Sequence, residues 1–150
     1  MPRDAKYYQG RFHPQNPQKY QGDVKNIIYR SSWELKFMKW CDTNNNILEY
    51  SSEEFFIPYF DPTTKKVRRY FPDFCVKYIS SKGEIKKAVV EIKPLRETKE
   101  PVSTKNKRKK TLLNETLTYA KNQAKWEAAR EFCKDHMMEF KIITEKELGI

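Results

Sequence analysis

Apolar residues recur at two different periods along this chain, and the switch between them divides it into stretches. In "SSWELKFMKWCDTN", Trp33, Phe37, Trp40 and Cys41 fall at i, i+4, i+7 and i+8, which predicts an amphipathic helix with one apolar stripe. Ser31 stands where a cap is needed, and "DTNNN" ends the helix in turn-forming residues. The pattern then becomes that of strands: "NILEYSS", "EFFIPYFDP", "KVRRYFPDFCVKYIS" and "EIKKAVVEIKP". Asp61-Pro62 and Lys82-Gly83 are turn signals. They predict hairpins joining the second strand to the third through "DPTTKK" and the third to the fourth through "SSKGE". Connections this short make the partners antiparallel. Pro58 and Pro72, inside strand patterns, mark edges or bulges.

A polar segment follows at about 95–111 and carries the basic tract Lys105, Lys107, Arg108, Lys109 and Lys110; its composition predicts a mobile loop. A second long helix is expected from Leu112 or Thr116 to His136, with Asn122, Trp126, Ala129 and Cys133 on one face and Phe132 beside it. "EFKIIT" is a last strand and "EKEL" a last helical turn. Residues 1–26 show no sustained period and predict an irregular arm anchored by Tyr7, Tyr8, Phe12 and Tyr20, which leaves 27–150 as the folded domain. The order α-β-β-β-β-α-β-α predicts an α/β (α+β) fold in which a mixed sheet is flanked by helices.

Charge adds a partner to this picture. Thirty Lys and Arg against 20 Asp and Glu leave a net charge of +10, a balance that suits a polyanion. No apolar run approaches the length of a membrane span, and the N-terminus lacks the apolar region of a signal peptide. The 3 cysteines are an odd number, far apart and among core-like neighbours, and are expected to be reduced thiols.

The chemistry concentrates in "VVEIKP". Alternation puts Glu91 and Lys93 on one strand face with Val89, and Val90 and Ile92 on the other. Burying such charges costs several kcal/mol unless they are paired or bound to metal. The "SSKGE" hairpin brings Asp73 near Glu91, and two carboxylates so placed repel unless a cation lies between them. Mg²⁺, with Mn²⁺ able to substitute, matches oxygen ligands and keeps several waters; the Ile92 carbonyl is a further candidate ligand. Lys93 would then orient a water and steady charge on a scissile phosphate, which is metal-assisted phosphodiester hydrolysis. Glu34, in the first turn of the first helix, either joins this set or closes a capping box with Ser31. Asp73 alternatively caps a turn amide, and Glu91 and Lys93 alternatively form an ion pair on an exposed face. Arg68 and Arg69 precede Asp73 closely enough to flank a cleft, and the tract Lys105–Lys110 either reaches phosphates or is a solvated linker. Lys121, Gln123 and Lys125 begin the second helix, and the pattern does not choose among them.

Pro72-Asp73, one hairpin, then Glu91-Ile92-Lys93 resembles the PD-(D/E)XK nuclease superfamily. That resemblance implies an α-β-β-β-α-β core with the acid and the E-x-K on adjacent strands, and a first-helix carboxylate, here Glu34, facing the metal. "IIYRSSWELKFMKWCD", "EEFFIPYFDP", "RRYFPDF", "VVEIKP" and "KWEAAREFC…FKIITEKEL" together resemble the head completion nucleases of T-even-type tailed bacteriophages over nearly the whole chain. The TnsA-type transposase endonucleases are a more distant likeness. These resemblances imply a DNA endonuclease acting on double-stranded DNA or DNA ends after packaging and before tail attachment. They imply partners among phage head and portal-vertex proteins, no membrane and no nucleotide cofactor. The place implied is the cytoplasm of the infected bacterium or the virion's head vertex. A structural DNA-binding plug without catalysis, or a restriction- or repair-type endonuclease, are the competing expectations.

Overall fold

Ser31 begins the first helix, α1 (Ser32–Thr43), by accepting the Glu34 N–H on its hydroxyl at 3.1 Å. The buried face of α1 is Glu34, Phe37, Met38, Cys41 and Asp42. Trp40, expected on the apolar stripe, is instead 49% exposed. The stripe is turned by one residue because Phe37 packs on Phe74 of the sheet, ring centres 4.8 Å apart, which rotates Met38 inward and Trp40 out. Glu34 therefore lies on the core side of its helix, a position a carboxylate seldom takes without a reason.

The computed structural model describes residues 9–150; Tyr7 and Tyr8, two of the expected anchors, lie outside them. Within the arm, β1 (Gly10–Arg11) pairs antiparallel with β2 (Ile28–Tyr29), and Phe12 and Tyr20 are buried as anchors. Lys19 donates to the carbonyls of Cys41, Asp42 and Asn44 at 2.6, 3.1 and 2.9 Å, so the arm closes the C-terminal end of α1. Buried Asp42 accepts from the Gln15 N–H at 2.8 Å and from the Tyr50 hydroxyl at 3.1 Å.

The central sheet has four strands in the order β3-β6-β7-β8: β3 (Ile47–Ser52), β6 (Phe74–Ile79), β7 (Ile85–Ile92) and β8 (Glu139–Ile143). The first two pairings are antiparallel and β7–β8 is parallel, so the sheet is mixed as expected. The run "KVRRYFPDFCVKYIS", expected as one strand, is two. β5 (Lys66–Tyr70) ends before Pro72, and β6 starts after it. Proline donates no ladder hydrogen bond, and the break at Phe71–Asp73 sends the halves to different sheets. β5 pairs with β4 (Ile57–Asp61) in a separate two-stranded ribbon, so five strands, not four, separate the long helices. Pro58 lies on β4, whose one partner is β5, the edge position its missing donor requires.

Helix α2 (Lys109–Asp135) buries Asn122, Trp126, Ala129 and Cys133, as its periodicity predicts. It starts earlier than expected, so Lys109 and Lys110 form its first turn instead of belonging to the loop. Two cores result. Phe37, Met38 and Cys41 of α1 pack on Ala88, Val90 and Ile92, while Trp126 and Ala129 of α2 pack on Ile57, Tyr59 and Tyr70 of the ribbon, with Phe140 and Ile142 of β8 alongside. β7 is buried on both faces from Ala88 onward, the mark of a central strand. A final turn, α3 (Glu145–Leu148), is closed by a capping box between Thr144 and Glu147. The three cysteines are free thiols, and no helix among the described residues is long and apolar enough to cross a membrane.

Candidate active site

The antiparallel register of β6 and β7 pairs Phe74 with Val90, so one step further out Asp73 comes opposite Glu91. Asp73 is fixed there by accepting the Ile92 N–H on Oδ2 at 2.8 Å. Glu91 sits on the face of β7 turned toward α2 and accepts the Tyr70 hydroxyl on Oε2. Both carboxylates are buried. Burial, then the negative charges of Glu91 and Glu34, hold the Asp73 carboxyl well above the usual carboxylate range. Burial also raises Glu91, against the Tyr70 hydrogen bond and the charges of Lys93 and Lys125.

Lys93 follows β7 directly, and its N–H donates to the Ile143 carbonyl at 3.0 Å, which locks the strand end to the neighbouring β8. From α2, Lys125 places its ammonium 5.7 Å from the Tyr70 ring centre and 5.9 Å from that of Tyr59. Burial lowers its pKa; the negative Glu91 opposes that shift and Lys93 adds to it. Lys121, Gln123 and Lys125, expected to begin the second helix, are half-buried residues in its middle, because α2 starts at Lys109. Lys125 serves Glu91, whereas Lys121 lies 3.6 Å from Asp61. Tyr70 was not foreseen as a site residue. On β5 it is the one buried residue, after four exposed ones, and the local sequence carries no signal that sets it apart.

Glu34 occupies the third corner. Ser31 caps the Glu34 N–H, but the Glu34 carboxylate accepts from the Arg30 N–H at 3.3 Å and not from the cap residue, so the reciprocal half of a capping box is missing. Burial raises its carboxyl to about 7, opposed by the Arg30 hydrogen bond and reinforced by Glu53. Glu53, also unforeseen, follows β3 in a left-handed conformation with φ 51°. That turn lets its N–H donate to the Asp73 carbonyl at 3.2 Å, and its carboxylate pairs with Arg30 at 3.1 Å. Asp73 is therefore held through both its side chain and its main chain.

The donor set consists of oxygens, as a hard divalent cation requires. Ile92 and Tyr70 each occupy one oxygen of Asp73 and Glu91, and the second oxygens, Asp73 Oδ1 and Glu91 Oε1, have no hydrogen-bond partner among the described residues. Two repelling carboxylates with free oxygens fit such an ion. Among the described residues no group of three or more His, Cys, Asp and Glu side chains stands ready to hold a metal. Glu34 is thus beside the pair, near enough to act on Asp73 electrostatically, and not in a closed cage with it.

The basic candidates separate into committed and free groups. Arg68 pairs with buried Asp61 at 3.2 Å, and Lys107 is tied to the Val102 carbonyl at 2.8 Å and to Glu115 at 3.3 Å. Lys105, Arg108, Lys109 and Lys110 are exposed, with no acidic partner among the described residues, and Arg69 lies over the Phe56 ring at 4.9 Å. Residues 44–145, which include Asp73, Glu91, Lys93 and Lys125 but not Glu34, match the family described as TnsA-like endonuclease N terminal. The chain is also similar to the head completion nuclease of Enterobacteria phage T4: 40% identical over 141 residues, covering 92% of this chain and 91% of that protein.

Proposed function

Since the chain belongs to the TnsA-like endonuclease family, we propose that it is a divalent-metal-dependent DNA endonuclease of the PD-(D/E)XK type. The observation that carries this reading is the buried Asp73–Glu91 pair, both carboxyls raised in pKa by burial and Asp73 further by the charge of Glu91, with Lys93 and Lys125 flanking them. Asp73, Glu91 and the Ile92 carbonyl would hold Mg²⁺, or Mn²⁺ in its place. Bound there, the ion supplies Lewis-acid stabilisation of charge on the phosphate and makes the attacking water more acidic.

The chain's own groups do the rest. Lys93, beside Glu91 at the strand end, orients the water whose oxygen forms the new bond to phosphorus as the ester P–O bond breaks. Lys125 stabilises negative charge as it grows on the phosphoryl oxygens, a task its partly buried ammonium performs better than an exposed one. Tyr70 holds Glu91 in orientation, and Glu34 biases the protonation of Asp73. Lys105, Arg108, Lys109 and Lys110 contact phosphates of the bound duplex and position it without reading sequence. The name of the T4 relative supports placing the reaction in phage head completion; its action on DNA ends at the portal vertex is part of the same proposal.

The test is nicking of supercoiled plasmid by purified protein. Cleavage is expected with Mg²⁺ and absent in EDTA, and Lys93→Ala should lower the rate by ~10²-fold or more with an unchanged circular dichroism spectrum. Undiminished cleavage in EDTA overturns the reading, and so does undiminished cleavage by Lys93→Ala.

A further inference from the structure

Alternation sorts the β4–β5 ribbon into two unlike faces. Ile57, Tyr59 and Tyr70 are buried against α2. The opposite face carries Phe56, Pro58, Phe60, Val67, Arg69 and Phe71 as three cross-strand rungs: Phe60 with Val67, Pro58 with Arg69, and Phe56 against Phe71 with ring centres 5.8 Å apart. Phe56, Phe60, Val67 and Phe71 are 43%, 58%, 72% and 47% exposed. A contiguous exposed apolar patch of this kind marks an interaction surface, whereas scattered apolar residues do not.

The chemistry around the patch says what it meets. Arg69 lies over Phe56, its guanidinium carbon 4.9 Å from the ring centre, and Lys65, Lys66 and Arg69 have no acidic partner among the described residues. The ribbon's one acid, Asp61, is buried and bound to Arg68 and Lys121. Aromatic faces ringed by cations suit bases that stack while their phosphates are neutralised, and disfavour an acid-poor apolar protein surface. Phe71 precedes Asp73 by two residues, no more than about 7 Å of chain. The patch thus runs directly into the candidate active site.

We propose that the outer face of the β4–β5 ribbon is a stacking platform for unpaired bases, so that the substrate class of the site is DNA with a single-stranded segment at an end or gap. Bases within an uninterrupted duplex are stacked on one another and offer no face to Phe60 or Phe71. The proposal rests on the endonuclease reading of the Asp73–Glu91 site and adds its substrate preference.

Fluorescence anisotropy in EDTA, at fixed salt, separates the two. Labelled oligonucleotides with equal numbers of phosphates are compared as a blunt duplex and as a duplex with a single-stranded overhang. Wild-type protein is expected to bind the overhang form about tenfold more tightly or better. Phe60→Ala combined with Phe71→Ala should remove that preference and leave blunt-duplex affinity unchanged, while Phe71→Trp keeps it. Equal affinity of wild-type protein for both forms overturns the proposal, as does a preference that survives the double substitution. So does sedimentation showing a wild-type dimer that the double substitution converts to monomer with DNA preference intact, since the patch is then a contact between copies. Binding is read without metal and without cleavage. An overhang preference in a protein that never cuts DNA with Mg²⁺ would sink the endonuclease reading and leave the platform standing.

Discussion

Tyr59-Phe60-Asp61-Pro62 and Tyr70-Phe71-Pro72-Asp73 differ in sequence mainly by the order of aspartate and proline, and both aspartates are buried. Their surroundings are opposite. Asp61 comes first, so its Oδ1 accepts the Thr63 N–H and hydroxyl at 2.9 and 2.6 Å and forms the ribbon turn. Arg68 and Lys121 add positive charge. Burial works against its ionisation, yet the Thr63 and Thr64 hydrogen bonds and Lys121 outweigh that and hold the carboxyl well below the usual range. Asp73 follows its proline, emerges where the chain crosses from the ribbon into the sheet, and meets Glu91 and Glu34. Burial opposes the ionisation of both aspartates; what differs is whether protein or a ligand supplies the positive charge. A buried acid already neutralised by its own fold is a structural part. One left among other acids can bind a cation.

Asn substitutions break this comparison most sharply, because they should act in opposite directions. Asp73→Asn should reduce Mg²⁺-dependent plasmid nicking by at least ~10²-fold. It keeps an oxygen for the Ile92 N–H and removes the repulsion with Glu91, so the melting temperature in EDTA at pH 8 should hold or rise. Asp61→Asn should do the reverse: it removes the carboxylate that Arg68 and Lys121 pair with, lowers the melting temperature, and below that temperature leaves nicking largely intact. If both substitutions destabilise equally, the distinction between the two acids is wrong.

A pH series sharpens the same contrast. Glu34, Asp73 and Glu91 have raised folded-state pKa values, so the stability they contribute is present below the unfolded carboxylate range and is lost as pH rises through the folded values. For Glu34 that window runs from the ordinary glutamate value of 4.5 to about 7. In EDTA the melting temperature should fall between pH 5 and pH 8 as these groups ionise, and added Mg²⁺ should raise it more at pH 8 than at pH 5. A Mg²⁺ effect equal at both pH values would separate metal binding from these carboxylates.

The smallest effect lies in the basic tract, where the same division into committed and free charges recurs. Lys107→Ala removes a partly exposed pair with Glu115, worth no more than ~1 kcal/mol, and should leave the salt dependence of DNA binding as it was. Lys109→Ala should leave stability unchanged and lower the slope of log affinity against log salt by about one ion.

Strong periodicity made most of the fold legible. The buried face of α2, the two hairpins, the last strand and the mixed sheet all follow from residues whose neighbours in sequence already carry the pattern, whereas the parallel pairing of β8 with β7 comes from the structure alone. The register of α1 did not, because Trp33 and Trp40 carry larger apolar surfaces than Met38, and it is the packing of Phe37 on Phe74 that decides which flank turns inward. The split at Pro72 was visible as a proline but not as a change of sheet, since an edge, a bulge and a break share the same local signal. At the candidate site, Asp73, Glu91 and Lys93 stood out as charges set against apolar strand patterns. Tyr70, Lys125, Arg30 and Glu53 carry no such contrast: a tyrosine on a strand, a lysine on a helix and a surface ion pair are common everywhere.

What the sequence determined by itself was most of the elements and the anomaly within them: acids and a lysine at strand positions where burial is costly. Only the tertiary structure decided which charges answer one another. The β6–β7 register aligns Asp73 with Glu91, α2 delivers Lys125 to one acid and Lys121 to another, and the ribbon turn closes on Asp61 before any ligand can. The reason is one of range. Hydrophobic periodicity is written within a turn or a strand, whereas the balance of buried charge depends on groups brought together from distant parts of the chain.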